Sequence, residues 1–175
     1  MDPHEEWRQY KPFPCYWVSN LGRVKRIYKN GNEKYLSPCT HYKGYKWIDL
    51  VRRPKREKIQ VHVMVASCFI DNPDNKLFVD HINEDKADNC VSNLRWATNS
   101  ENQRNITKLR STNTSGCVGV TSKTYKGLHW KWCARISLHN ERIILGHFDD
   151  YNDAVKARRD AERKYFADFC PNRDQ

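Results

Sequence analysis

Both ends of the chain are dominated by short alternations of apolar and polar residues, with one compact apolar run near the middle. Tyr16-Trp17-Val18 reads as a strand turning at Ser19-Asn20-Leu21-Gly22, and Arg23-Val24-Lys25-Arg26-Ile27-Tyr28 follows with a period of two. After a turn at Lys29-Asn30-Gly31-Asn32 come Lys34-Tyr35-Leu36 and Tyr45-Lys46-Trp47-Ile48-Asp49-Leu50. Such alternation leaves one apolar and one basic face, as in a half-buried antiparallel sheet.

The apolar run, Gln60 to Phe69, predicts a helix, although its β-branched residues leave a strand open. Asp71-Asn72-Pro73-Asp74-Asn75 ends it. Phe78-Val79-Asp80-His81 predicts a short strand, 83–93 a polar loop, and Leu94-Arg95-Trp96-Ala97 a returning strand. Thr98 and Glu101 make a capping box for a helix beginning at Asn99, with Asn102 in its first turns. The Ser-, Thr- and Asn-rich stretch from Arg104 to Ser115 reads as a linker. Beyond it, strands are expected at 119–122, 130–137 and 142–146, separated by turns at Lys126-Gly127 and His139-Asn140. A helix is expected over about 152–166, with Ala154, Ala157, Ala161 and Tyr165 on its packed stripe.

Charge divides the chain the same way. Residues 1–60 carry 14 Lys/Arg and 6 Asp/Glu, 61–103 carry 3 and 7, and 104–175 carry 14 and 8. The net +10 points to a polyanionic partner, since neutralising phosphates releases counterions. An acidic centre between basic flanks suits a metal site held between phosphate-binding arms. With 30% charged and 38% hydrophobic residues, any core is expected to be small or divided. The seven cysteines form no Cys-x-x-Cys pair, which argues against structural zinc, and their odd number favours reduced thiols. No apolar run reaches membrane-spanning length.

The candidate chemistry lies in the acidic centre. Asp80-His81 joins a carboxylate to an imidazole, and Asn102 adds an oxygen donor about twenty residues on. Asp80 and Asn102 can hold a hard divalent cation, and His81 can take a proton from an attacking water. His62, alone on an apolar segment, is expected to be a satisfied core residue, and Trp96 another core residue. Arg95 has two readings: a phosphate contact, or a partner for Asp80 or Asp88.

Val61-His62, Val65-Ala66, Val79-Asp80-His81-Ile82-Asn83, Asp88-Asn89 and Asn93-Leu94-Arg95-Trp96-Ala97-Thr98 resemble the HNH homing endonucleases of phages. The resemblance implies that His81 is the general base, that Asp80 and Asn102 bind Mg2+ or Mn2+, and that Asn93 braces the loop orienting His81. Glu84-Asp85 stands where the family usually has Asp-Gly, so a Gly-requiring turn is expected to be rebuilt. Trp7, Tyr16, Val18-Ser19-Asn20 and Gly22-Arg23-Val24 resemble the nuclease-associated modular DNA-binding motif, implying phosphate contacts at Arg23, Lys25 and Arg26. Pro12-Phe13-Pro14-Cys15 departs from that motif's Gly-Tyr-Glu. Gly119-Val120, Trp130-Lys131-Trp132, Ala134, Ile136, Leu145-Gly146 and Phe148 resemble the ethylene-response-factor type of DNA-binding domain. That implies DNA contacts among Lys123, Trp130, Lys131, Arg135 and Arg142, with one of Trp130 and Trp132 in the core.

The chain therefore reads as α+β: a ββα-metal HNH nuclease core between a small N-terminal antiparallel sheet and a C-terminal three-stranded sheet packed on one helix. The expected domains are 1–58, a basic DNA-binding module; 59–104, the nuclease; 105–115, a linker; and 116–175, the second DNA-binding domain. The expected activity is site-specific cleavage of double-stranded DNA with one divalent metal. A regulator with a vestigial nuclease module and a nonspecific defence nuclease are the alternatives. The expected setting is the cytoplasm of a phage-infected or lysogenic bacterial cell, as a monomer rather than a homodimer.

Overall fold

The structure is a computed structural model of the 175-residue chain, and it describes residues 4–52, 54–104, 109, 111–125, 128–138 and 141–170. The fold is α+β, with several small antiparallel sheets and few helices among the described residues. It divides into two compact units, Met1–Asn102 and Gln103–Gln175.

In the first unit, β1 (Trp7–Gln9), β2 (Tyr16–Ser19), β3 (Val24–Ile27) and β4 (Glu33–Leu36) form an antiparallel sheet in sequence order. A second sheet follows, in the order β5 (Cys39–Thr40), β6 (Lys46–Arg52) and β7 (Lys55–Gln60). Helix α1 (Val61–Phe69) leads to β8 (Phe78–His81), a 3-10 turn (Val91–Asn93), β9 (Leu94–Ala97) and α2 (Asn99–Arg104). Strands β1, β5 and β7 were not expected. β7 is Lys-Arg-Glu-Lys-Ile-Gln, which has little apolar alternation to signal it. It is a strand because its backbone pairs with β6, from Trp47 opposite Gln60 to Arg52 opposite Lys55.

The α1 segment resolves as a helix despite its β-branched residues. Val61, His62, Met64, Val65 and Ala66 are buried, and tertiary packing of that face outweighs intrinsic propensity. Carbonyls at and just past its end are met from outside. Arg8 donates to Cys68 O at 3.0 Å, and Trp96 Nε1 to Ile70 O, just past the last turn, at 3.0 Å. One core joins Tyr16, Val18 and Val24 to Ile48, Leu50, Val61, Met64, Val65, Val79 and Leu94. This core crosses the boundary expected at 58/59, which falls within β7. Tyr16 ties the two larger sheets together, its hydroxyl accepting from Val51 N at 2.8 Å.

The second unit holds β10 (Val120–Tyr125), β11 (Leu128–Leu138) and β12 (Glu141–Phe148) as one antiparallel sheet, followed by α3 (Tyr151–Phe166). Asp150 caps α3, accepting from Asn152 N at 2.6 Å and Asp153 N at 3.3 Å. Ala154 and Ala161 are buried as the alanine pattern predicts, but Tyr165 is exposed and Phe166 takes the buried position. The same face also buries an ion pair, Arg158 with Glu162 at 2.9 Å, and Arg158 donates to Arg135 O at 2.6 Å. An apolar stripe could not announce a buried arginine, which is tolerated here because its donors are met. Trp132 packs against Tyr151 with ring centroids 4.9 Å apart; the Trp130 side chain lies outside what is described. The turns expected at Lys126-Gly127 and His139-Asn140 also lie outside the described residues, as do 105–108 and 110 of the linker.

Candidate active site

Strands β8 and β9 form a two-stranded antiparallel hairpin in which Asp80 stands opposite Arg95 and His81 opposite Leu94. Directly opposed residues are near enough to pair. Arg95 accordingly donates to Asp80 Oδ2 from Nε at 2.9 Å and from a terminal nitrogen at 2.8 Å. Asp80 is buried, and only 16% of the Arg95 side chain is exposed. Of the two readings of Arg95, the structure realises the pairing with Asp80, while the DNA contact would require exchanging that carboxylate for a phosphate.

His81 is buried where three elements meet. Its ring centroid lies 4.8 Å from that of His62 on α1 and 6.0 Å from that of Tyr45, just before β6. Nε2 is 3.3 Å from Asn89 Oδ1. The Asn89 amide nitrogen donates to Ala87 O at 2.9 Å, so its carbonyl oxygen faces His81. The imidazole therefore carries its proton on Nε2, and Nδ1 holds the basic lone pair. Burial lowers the His81 pKa, against the opposing effects of the Asn89 hydrogen bond and of Asp80, Asp88 and Asp85. An imidazole neutral at neutral pH can accept a proton.

The loop between the strands is held from within by Asn93. Its Oδ1 accepts from Asn83 N at 3.0 Å, its amide nitrogen donates to Asp88 O at 2.9 Å, and its backbone carbonyl accepts from Ile82 N at 2.9 Å. At Glu84-Asp85 it is Glu84, not Asp85 at the glycine position, that takes the left-handed conformation, with φ 62°. Its neighbours make this tolerable, since Glu84 N donates to His81 O at 3.0 Å and Asp85 N to Asn83 Oδ1 at 2.8 Å.

The N-terminal module also braces this loop. Val91 N donates to Asn20 O at 2.8 Å, and Gly22 lies against Asn89. Gly22 has φ +79°, and a Cβ there would come within 2.8 Å of Asn89 Cβ. Gly22→Ala is expected to cost about 1–3 kcal/mol in urea denaturation, combining the left-handed penalty with this collision. Asn89 is a site residue whose part the sequence did not reveal. It was legible only as half of Asp88-Asn89, because its partners His81 and Gly22 come from distant parts of the chain.

His62 is buried, as expected, but not remote from the chemistry, and its Nδ1 lacks a hydrogen-bond partner among the described residues. Burial, reinforced by nearby His81, lowers its pKa from 6.5 to about 3. The unfolded chain therefore takes up a proton as pH falls below 6.5 while the folded chain does not. The stabilisation is complete above that pH and is lost toward about 3. The expected slope is about 1.4 kcal/mol per pH unit, read between pH 6.5 and 5 as the difference in denaturant stability between wild type and His62→Phe.

Asn102 lies half-buried in α2, whose capping box forms: Thr98 N donates to Glu101 at 2.7 Å and Glu101 N to Thr98 Oγ1 at 3.2 Å. Asp80 and Asn102 each carry an oxygen donor of the kind a hard divalent cation takes, and Arg95 occupies Asp80 Oδ2. No group of three or more His, Cys, Asp or Glu side chains is placed to hold a metal among the described residues. All seven cysteines are free thiols. No helix among the described residues is long and apolar enough to cross a membrane.

Several of the basic candidates already have intramolecular partners. Arg23 pairs with Glu5, Lys25 with Glu33 at 2.9 Å, and Lys131 with Asp149 at 3.3 Å. Arg26 lies over the rings of Tyr16 and Tyr28 at 5.3 and 4.8 Å. Lys123 and Arg142 are exposed, and Lys123 faces Lys131 across β10 and β11. Like charges so opposed repel in the absence of an anion. Arg135 is half-buried on β11.

Residues 61–104 match the HNH endonuclease family and residues 5–51 match the NUMOD4 motif. DNA endonuclease I-HmuI of Bacillus phage SP01 is 36% identical over 101 residues, 57% of this chain and 56% of that protein. An uncharacterized HNH endonuclease of Acanthamoeba polyphaga mimivirus is 40% identical over 105 residues, covering 56% of this chain and 25% of the relative. The solved structure of the HNH homing endonuclease I-HmuI, described by its DNA binding and cleavage, superposes with a TM-score of 0.52 at 38% identity. It covers 57% of this chain and 56% of that one. The chain thus spans only about a quarter to somewhat over half of these relatives.

Proposed function

From a chain that carries an HNH endonuclease domain and a NUMOD4 motif, homologous to a phage homing endonuclease, we propose a site-specific DNA endonuclease of the homing type. The observation that carries this reading is His81: a buried imidazole, oriented through Nε2 by Asn89, beside a buried carboxylate. His81 Nδ1 takes a proton from the water that attacks phosphorus in line. The new P–O bond forms as the bond to the 3′ oxygen breaks, leaving a 5′ phosphate. Asp80 and Asn102 hold the divalent cation, Mg2+ or Mn2+, which when bound supplies charge stabilisation to the scissile phosphate. Asn93 keeps the loop, and with it His81, in one arrangement.

Recognition falls to the flanks. Lys25 meets a phosphate by exchanging the part-exposed carboxylate of Glu33, Arg23 by exchanging that of Glu5, and Arg26 from its place over the Tyr16 and Tyr28 rings. The C-terminal unit acts as an ethylene-response-factor-like reader of double-stranded DNA, with Lys123, Trp130, Lys131, Arg135 and Arg142 as contacts. One active site per chain makes the monomer a nicking enzyme. The test is conversion of supercoiled plasmid to nicked or linear DNA. Cutting is expected with Mg2+ or Mn2+ and none with EDTA; no cutting with either metal overturns the reading.

A further inference from the structure

We propose that the turn between β5 and β6, together with Lys86, forms a docking point for the DNA backbone immediately beside His81. This rests on the reading of the chain as a DNA-binding nuclease. The turn closes through His41 N to Tyr45 O and Gly44 N to His41 O, both 2.8 Å. It delivers Tyr45 to the site, where its ring lies 5.3 Å from His62 and 6.0 Å from His81. The Lys86 ammonium, from the loop between β8 and β9, lies 4.9 Å from the centre of the same Tyr45 ring. Gly44 backs this arrangement, since a Cβ there would meet Lys86 side-chain carbons at 3.6 and 3.7 Å. The ammonium is thus no further from the imidazole than those two steps end to end. Successive phosphates on one strand advance about 3.4 Å along the duplex axis, so it lies within a few nucleotides of the bond that His81 would attack.

Charge distribution separates Lys86 from its neighbours. Of the three basic residues in 61–103, Lys76 pairs with Glu101 and Arg95 with Asp80. Lys86 makes no ion pair with a carboxylate among the described residues, and its contact is the Tyr45 ring. Two of its acidic neighbours are turned onto the loop's own backbone: Asp85 accepts from Ala87 N at 2.9 Å and Asp88 from Cys90 N at 3.2 Å. A second such lysine stands on the turn itself, where Lys43 lies 5.6 Å from the ring of Tyr42, which is 85% exposed. Cations held on aromatic faces keep their charge and lose little freedom on meeting a phosphate. An exposed ring can add stacking against a base or sugar.

The experiment is equilibrium binding of a fluorescein-labelled mixed-sequence duplex to the full-length chain in EDTA, across a salt series, with plasmid cleavage in Mg2+ measured in parallel. Lys43→Ala and Lys86→Ala are each expected to lower the slope of log affinity against log salt by about 0.9, and the double variant by about twice that. Lys86→Arg, which keeps the charge, is expected to hold the wild-type slope. Thermal unfolding should be unchanged, since neither lysine is part of the core. Wild-type slopes in both alanine variants would overturn the docking point while leaving an active nuclease standing. Lysine-dependent binding by a wild-type chain that does not cut would overturn the nuclease reading and leave the docking point.

Discussion

Replacing His81 by alanine is expected to slow plasmid cleavage in Mg2+ by about 10²- to 10⁴-fold, the range a positioned general base contributes. DNA affinity in EDTA should stay near the wild-type value. The separation follows from geometry. His81 is buried against His62, Tyr45 and Asn89, whereas Arg23 lies just before β3, Lys25 and Arg26 on β3, Lys43 on the turn before β6 and Lys86 on the loop between β8 and β9. Losing the imidazole would remove the proposed proton acceptor and leave the proposed phosphate contacts in place. Alanine also opens a void, so His81→Gln is the companion variant: it fills space and can still meet Asn89, but glutamine is not a base. Single-turnover cleavage by both variants, with thermal unfolding alongside, distinguishes lost chemistry from lost structure. Undiminished cutting by either would remove His81 from the reaction.

The second large effect concerns Asp80, where stability and chemistry coincide. Asp80→Ala leaves the Arg95 guanidinium, 16% exposed, without its carboxylate. An uncompensated buried charge typically costs about 3–5 kcal/mol, and the cation would lose a ligand as well. The variant should therefore be both less stable and inactive, an ambiguous result taken alone. Asp80→Ala combined with Arg95→Met resolves it. Removing both charges should restore much of the stability in urea denaturation, because a buried pair replaced by apolar side chains is often near neutral. Cleavage should not return. A double variant that folds and cuts at the wild-type rate would show that Asp80 has a structural part only.

How much of this was legible beforehand differs from residue to residue. The strand, loop, strand and capped helix around Asp80 and Asn102 follow from local signals: short β-branched or aromatic runs, a polar loop and the Thr98–Glu101 box. The roles of Tyr45 and Asn89 do not. Tyr45 reads as the start of a strand, and its place beside His81 depends on the packing of a turn nearly forty residues upstream. In α3 the alanine stripe was visible, but the buried Arg158–Glu162 pair contradicts any pattern built on hydropathy and stands only because Arg135 O accepts from the arginine.

The sequence by itself determined the α+β character, the acidic centre between basic flanks and the candidate residues Asp80, His81 and Asn102, since residue type, spacing and charge are local properties. Tertiary structure alone decided the rest: that Arg95 turns to Asp80, that Asn89 orients His81, that the N-terminal turn at Gly22 supports the loop between β8 and β9, and that Lys86 rests on Tyr45 beside His81. Each of these depends on side chains far apart in the chain meeting at hydrogen-bond or van der Waals distance, where small displacements change the energy and sequence spacing carries no information.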